Sequence, residues 1–300
     1  MRKKTSLLLV LTLTALLLFT GCASVEELQE RYDQMVTGDV DLETAGEMGD
    51  FLERYLKRFD DQTANRMVLD LENYLTKYIT ANPDKVSLEG AAAYFDKEEG
   101  EFDEDGLKKS EYRHFVEELD EAHLKVVFYE EALRLKVDYE ELLEEYGEEL
   151  TEAVRGLLSL QALAVEEPMM EKAVLQISWE KVLDRAYTAE TLLRQFGEDE
   201  LIRTDALELY KLYLNTLLMG TTNTPVIDYK TGVFSEGAKT IYKDFLLDHP
   251  ESTVSWVLTE YFTYLEKVGY TVDYTNGAES KVFFDTCDWL VSQAEKRVMQ

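Results

Sequence analysis

The sequence predicts an all-α protein built from antiparallel helical hairpins. Apolar residues recur at spacings of three and four through most of the chain, which places them on one face of a helix. The 300 residues include only 4 prolines, and the apolar–polar alternation typical of strands is scarce. A pattern of paired apolar residues, an aromatic residue and a helix stop also recurs along the chain. Together these features predict about four to five hairpins of roughly 50 residues each.

Residues 1–21 have the parts of a secretory signal peptide. Arg2, Lys3 and Lys4 make a cationic start, and a leucine-rich apolar run follows from Ser6 to Phe19. That run has about 14 residues, whereas a helix that spans a bilayer needs roughly 20. A cleaved peptide is therefore favoured over an uncleaved signal anchor.

Cys22 directly follows Thr20 and Gly21, and this ending resembles the lipobox of bacterial lipoproteins. The resemblance implies that cleavage makes Cys22 the N-terminus and that its thiol is diacylated. Two or three acyl chains hold a protein stably on a membrane. We therefore expect residues 22–300 to form one lipid-anchored helical repeat domain on the extracytoplasmic side of the cell membrane or outer membrane. An ordinary cleaved signal peptide is the remaining alternative.

The chain is strongly acidic. It carries 31 Lys and Arg against 61 Asp and Glu, a formal net charge of −30 at pH 7. Such a surface repels nucleic-acid phosphates and anionic lipid headgroups, so we expect no nucleic-acid partner and no basic membrane patch. A solvated, repulsive coat is the simpler interpretation, and cation capture is the alternative.

The chain has only two cysteines. If Cys22 carries lipid, Cys287 has no partner for an intramolecular disulfide. Cys287 lies at helical spacing among apolar neighbours, which predicts a buried, unreactive thiol rather than a nucleophile.

The recurring pattern has four copies, at 52–62, 139–149, 189–199 and 242–252. Its glycine or proline ends a helix. The acidic and hydroxyl residues after it are favourable at the start of the next helix. Each copy is therefore predicted to join two helices, while chance matches within a helical sequence are the alternative. A poorly matching fifth copy near Tyr94 and Phe95 would lie about one repeat length from both the first copy and the second, and would fill the gap between them.

The fourth copy resembles a tetratricopeptide repeat, in the form found in envelope lipoproteins that assist outer-membrane assembly and cell-wall complexes. The residues that carry the resemblance are Ile241, Tyr242, Phe245, Leu246, His249, Pro250 and Ser252, and an aromatic-rich helix follows to Tyr264. The match covers only about 35 residues, and the units are longer than the usual 34. It implies a solenoid of stacked helical pairs whose concave face binds peptides or proteins.

The stretch 96–105 is an acidic loop, and its Glu101, Asp103 and Asp105, followed by Gly106 and Glu111, resemble a calcium-binding EF-hand. The seven carboxylates of the loop are Asp96, Glu98, Glu99, Glu101, Asp103, Glu104 and Asp105. The first position is Glu instead of Asp, and the last glutamate arrives one residue early. A solvated loop is favoured over weak divalent binding, such as weak Ca²⁺ binding, and over a true calcium site.

No catalytic residue, cofactor or metal ligand is predicted. Glu111, His114 and Glu118 share a helix face, but a di-iron site needs a second such motif, which neither His123 nor His249 supplies. Catalytic triads, Gly-rich phosphate loops and zinc motifs are absent from the sequence. The tryptophans are far apart in sequence and lie in apolar helical phases, not along a cleft: Trp179, Trp256 and Trp289.

Two stretches interrupt the helical pattern, at 220–232 and 269–277, and they flank the last hairpin. Long loops are often functional, so these two could meet and form a binding site. The sequence therefore predicts a non-catalytic cell-envelope lipoprotein that acts as a protein-binding or assembly scaffold, with an envelope protein or peptide as partner. The alternatives are a divalent-cation or solute-binding lipoprotein that uses loop 96–105 and, more remotely, a carboxylate-dependent hydrolase.

Overall fold

The computed structural model describes residues 23–82, 86–97 and 99–300. The predicted signal peptide and the predicted lipidation site, Cys22, lie outside the described residues. The described part is mostly helical, as the spacing of apolar residues predicts. None of its helices is both long enough and apolar enough to cross a membrane.

The helices of the described residues are joined by turns, loops and β-hairpins. In chain order they are α1 (Val25–Val36), α2 (Leu42–Tyr55), α3 (Asp61–Ala81), α4 (Val86–Ala91), α5 (Glu104–Leu107), α6 (Arg113–Glu121), α7 (Tyr139–Tyr146), α8 (Glu152–Glu166), α9 (Trp179–Phe196), α10 (Glu200–Met219), α11 (Glu236–Asp248), α12 (Thr253–Lys267) and α13 (Gly277–Val298). Short 3₁₀ turns occupy Leu56–Arg58, Ala92–Tyr94 and Gly147–Glu149.

Three antiparallel β-hairpins interrupt the helices. They pair β1 (Phe95–Asp96) with β2 (Glu101–Phe102), β3 (Leu124–Tyr129) with β4 (Ala132–Val137), and β5 (Met170–Glu171) with β6 (Val174–Leu175). In β4 the buried Leu133, Leu135 and Val137 alternate with more exposed residues, so one face covers the core. Glu130 and Glu131 turn this hairpin with φ values of 50° and 67°, a left-handed pair that the sequence does not reveal because Asn-Gly usually marks it.

All four copies of the recurring pattern lie where one helix ends and the next begins. Copy 52–62 joins α2 to α3, 139–149 joins α7 to α8, 189–199 joins α9 to α10, and 242–252 joins α11 to α12. The poor fifth copy does not join two helices, because Tyr94 ends a 3₁₀ turn and Phe95 begins β1. Residues 95–137 therefore hold two β-hairpins and two short helices where a fifth helical hairpin was expected.

The C-terminal end of α10 is buried, and its last four carbonyl groups are all paired. Such groups have no partner within their own helix. Gly220 N donates to Thr216 O at 2.8 Å, and Val226 N donates to Met219 O at 3.1 Å. The hydroxyls of Tyr242 and Tyr261 donate to Leu217 O and Leu218 O, each at 2.7 Å. These tyrosines therefore attach α11 and α12 to the end of α10.

The N-terminal end of α12 is paired in the same way by a buried glutamate. Glu190 of α9 is 1 % exposed, and its carboxylate accepts from Thr253 N at 2.6 Å and Val254 N at 2.8 Å. Arg194 Nε lies 2.9 Å from the same carboxylate. The negative charge also suits the positive end of the helix dipole. Glu190 thus attaches α9 to α12 by accepting hydrogen bonds from the first two amides of α12.

Replacement of Glu190 by Ala should lower the free energy of unfolding by about 3 kcal/mol, because two buried helix amides lose their acceptor. Urea unfolding followed by circular dichroism measures the change. Glu208→Ala is the control, since Glu208 is exposed on α10 and should stay within about 0.5 kcal/mol of the parent. Equal stability of the two variants would contradict the role assigned to Glu190.

A second comparison concerns tyrosine hydroxyls. Tyr261→Phe leaves Leu218 O without its partner and should cost about 1–2 kcal/mol. Tyr210 is as deeply buried, but its hydroxyl has no hydrogen-bond partner among the described residues. Tyr210→Phe should therefore leave stability unchanged or raise it. The same unfolding measurement checks both variants. An equal loss of stability in the two would contradict the stabilising role of the hydrogen bond from Tyr261 to Leu218 O.

Candidate functional site

The two loops that the sequence singles out lie together. Phe234 N donates to Tyr270 O at 3.1 Å, and Val272 N donates to Gly232 O at 2.9 Å. Gly232 has a φ of 71°, and a Cβ there would lie 2.6 Å from Val272 O, so only glycine allows this approach. The expectation that 220–232 and 269–277 meet is therefore confirmed.

An aromatic surface lies where these loops meet α13. Tyr229 and Tyr274 are 5.1 Å apart between ring centroids, and Tyr274 and Phe284 are 6.2 Å apart. Tyr229 is 48 % exposed and Phe284 is 42 % exposed. We call these three residues the loop-end surface. It presents aromatic side chains to solvent beside a buried core that includes Phe234 and Phe283.

The tryptophans correct one expectation. Trp256 and Trp289 are far apart in sequence, but α12 and α13 bring their rings to 6.1 Å. Trp289 is half exposed, and the guanidinium of Arg297 lies 4.0 Å from the Trp256 ring centroid. Trp179 packs elsewhere, edge-on to Tyr242. This pair therefore adds exposed aromatic area to the terminal helices.

A buried histidine that the sequence did not single out joins three elements. His123 is 5 % exposed and follows α6 with a φ of 54°, a left-handed helix end. Its Nδ1 lies 3.0 Å from Glu141 Oε2, and its Nε2 lies 2.9 Å from the Tyr146 hydroxyl. The same hydroxyl lies 3.3 Å from Gly49 O on α2. The ring therefore connects the end of α6 with α7 and α2.

The surroundings of His123 are acidic and partly desolvated. Burial raises the pKa of Asp120, and the carboxylates of Glu141 and Asp138 raise it further. Burial likewise raises the pKa of Tyr146, with a further contribution from Glu145. Both ring nitrogens already have hydrogen-bond partners, so the imidazole offers no free nitrogen to a substrate. The arrangement acts as a structural connection.

The same residues are the group in the described ranges that comes nearest to a metal site. His123, Glu141 and Glu145 each offer one ligand atom, and these atoms lie within 4.8 Å of one another. Imidazole and carboxylate ligands suit zinc. A metal would, however, have to displace Glu141 from Nδ1 or Tyr146 from Nε2.

Replacement of Gly49 by Ala should disrupt this connection. A Cβ at position 49 would lie 2.7 Å from His123 Nε2, so the ring must move, at a cost of about 1–3 kcal/mol. Gly46→Ala on the same helix is the control, because its Cβ would come no closer than 3.7 Å to Glu121 O. That variant should be neutral or slightly more stable, since alanine favours helix. Thermal unfolding compares the two variants. An unchanged unfolding temperature in Gly49→Ala would contradict the role of His123 as a connection between helices.

The acidic loop does not form an EF-hand coordination loop among its described residues. Glu101 and Phe102 form a strand, and Asp103 begins α5 by accepting from Asp105 N at 3.2 Å. The cluster of possible metal ligands found in the described ranges does not include this loop. The resemblance in sequence therefore does not extend to the backbone path, and Glu98 lies outside the described residues.

The other singled-out side chains have structural surroundings. His114 is exposed and lies 3.2 Å from Glu118, as expected of a surface histidine. His249 stacks at 4.2 Å from the Tyr187 ring. Cys287 is fully buried, and burial raises the pKa of its thiol, as expected of an unreactive cysteine.

Comparison with known proteins adds no relative: no family model matches the chain, and no similarity to a curated protein or to a solved structure is detected. The resemblances to lipoproteins and to tetratricopeptide repeats therefore rest on the sequence patterns alone.

Proposed function

We propose that this protein is a lipid-anchored, non-catalytic scaffold of the cell envelope that binds a protein or peptide partner. The loop-end surface carries the proposal. Aromatic residues are enriched at the centres of protein interfaces, where they supply large buried area at low cost in side-chain entropy. Here Tyr229 and Phe284 are exposed on a support of buried helices, which is the form a binding surface takes.

The start of the described chain supports a close approach to the membrane. Helix α1 begins at Val25, with Ser24 as its cap: Glu27 N donates to Ser24 Oγ at 3.1 Å, and Ser24 N donates to Glu27 Oε2 at 2.9 Å. Arg58 Nη2 donates to Ala23 O at 2.7 Å. If Cys22 carries lipid, folded structure begins at the next residue. The domain would then lie against the bilayer surface without a tether.

We also propose that the C-terminal half is a short tetratricopeptide-like array. The hairpins α7–α8, α9–α10 and α11–α12 follow one another, and neighbouring hairpins touch. Helix α8 contacts α9 and α10, and α9 contacts α11 and α12. Helix α13 packs on α12 and also reaches back to α10, which suits a helix that ends an array.

Crosslinking in intact cells followed by affinity purification tests the proposal. The parent chain should recover an envelope protein, and Cys22→Ala should lose it, because the lipid places the surface at the membrane. Phe284→Ala should reduce recovery at least tenfold while the fold stays intact, since interface aromatics are frequent hot spots. Leu247→Ala is the matched control, because Leu247 is an exposed apolar residue, 79 % exposed, outside the loop-end surface.

Two results would contradict the proposal. Equal recovery from Phe284→Ala and the parent would exclude the loop-end surface as the binding site. Unchanged membrane association and partner recovery in Cys22→Ala would exclude the lipid anchor.

A further inference from the structure

A cavity of about 610 Å³, lined by none of the loop-end residues, lies between the β3–β4 hairpin and helices α8, α9 and α10. Strand β3 forms one wall and the end of α8 another, while Arg185 of α9 and Tyr213 of α10 line the inner side. Its volume lies within the range of small-molecule sites, which are concave, mostly apolar and supplied with a few fixed polar groups. We call it the cation-lined cavity.

Positive side chains gather at this cavity, although the chain as a whole carries a net charge of −30. Four cations line it, Lys97, Lys125, Lys136 and Arg185, together with the carboxylates of Glu99, Glu101 and Glu166. Lys125 is paired with Glu166. Lys97 lies over the Phe128 ring, with Nζ 4.1 Å from its centroid. Lys125 also lies 3.8 Å from Asp138. The lining groups thus carry at most one positive charge in excess, which suits a single negative charge better than a multiply charged anion.

The outer part of the cavity is apolar and open. Phe128, Met170 and Leu212 line it and are 37 %, 38 % and 46 % exposed. Large apolar side chains that gather around a concave site commonly mark a place where an apolar group binds. The cavity therefore combines an apolar entrance with cationic groups.

The inner side holds polar atoms without partners. Arg185 is 4 % exposed, and its Nη2 donates to Glu167 O at 2.9 Å and to Glu167 Oε2 at 3.0 Å. Its Nη1 and the hydroxyl of Tyr213, which is 1 % exposed, make no well-aligned hydrogen bond in the described part of the chain. Burial raises the pKa of Tyr213 and the neighbouring Arg185 guanidinium lowers it, so the two groups interact with each other. Buried donors without acceptors destabilise a fold and call for an explanation. Both residues line the cavity, which places these buried groups next to it.

We propose that the cation-lined cavity binds a monocarboxylate with an apolar body. The carboxylate accepts hydrogen bonds from Arg185 and Tyr213, and the apolar body contacts Phe128, Met170 and Leu212. A guanidinium and a phenol together match the two oxygens of one carboxylate. The ligand is a free organic acid or the C-terminus of an apolar peptide, which share this chemistry.

The first test titrates the full chain, kept in solution by a mild detergent, with phenylbutyrate in a calorimeter. Phenylbutanol and phenylbutylamine are the probes of matched shape. Phenylbutyrate should bind at least about tenfold more tightly than either, because only it supplies a negatively charged acceptor. Equal binding of all three probes would overturn the proposal.

Tyr213→Phe separates a binding role from a structural one. It removes a hydroxyl for which the described residues supply no hydrogen-bond acceptor, so the unfolding temperature should change little. Binding of phenylbutyrate should weaken about tenfold, the loss expected for one hydrogen bond to a charged group. Tyr210→Phe is the matched control, because Tyr210 lies on the same helix with an equally unpaired hydroxyl and does not line the cavity. Unchanged affinity in Tyr213→Phe, or an equal loss in Tyr210→Phe, would overturn the proposal.

Leu212→Ala tests the apolar entrance with a variant that should fold, since Leu212 is half exposed. Its affinity for phenylbutyrate should fall severalfold, and an unchanged affinity would count against the assigned orientation. N-acetyl-leucyl-phenylalanine, as free acid and as amide, distinguishes the sources. Tighter binding of the free acid than of phenylbutyrate identifies a peptide C-terminus, binding of phenylbutyrate alone identifies an organic acid, and binding of neither overturns the proposal.

Discussion

Buried helix ends are the constraint on which this structure depends. A helix that ends inside a protein brings unpaired amides or carbonyls with it, and each one left unpaired costs about 1–3 kcal/mol. At the end of α10 two tyrosine hydroxyls supply the missing donors, and at the start of α12 the carboxylate of Glu190 supplies the missing acceptor. The positions of α9, α10, α11 and α12 are thus set by pairs of polar atoms as well as by apolar packing.

This arrangement gives several of the 18 tyrosines a structural role. A tyrosine fills core volume with its ring and reaches a helix end with its hydroxyl. Tyr32, Tyr242 and Tyr261 are buried and donate to backbone carbonyls of other helices. Two tyrosines of α10 depart from this rule, since Tyr210 and Tyr213 are buried and their hydroxyls are unpaired among the described residues. The departure is informative at Tyr213 because that residue lines a cavity.

The binding features lie outside the regular helices. The loop-end surface is formed where two connections meet beside α13, and the cation-lined cavity is formed where a β-hairpin lies beside helices α8, α9 and α10. Regular helices supply rigid support in both places, and the irregular segments supply the exposed or unpaired groups. The net charge of the chain makes the cavity stand out, because four cations line it together with only three carboxylates, whereas acidic residues outnumber basic ones in the chain as a whole.

Local patterns in the sequence determined the helices and their junctions. Gly197 and Pro250 stop helices for reasons that act within a few residues, so the copies at 189–199 and 242–252 could be located without coordinates. The meeting of 220–232 with 269–277 was also within reach, because both flank one hairpin. The β3–β4 hairpin could not be predicted from the sequence, because Glu130 and Glu131 form its turn in a left-handed conformation that glutamate rarely adopts. The contacts of His123, Glu190 and Tyr213 were decided only by tertiary structure, because each depends on partners from other elements, and sequence spacing carries no information about such distances.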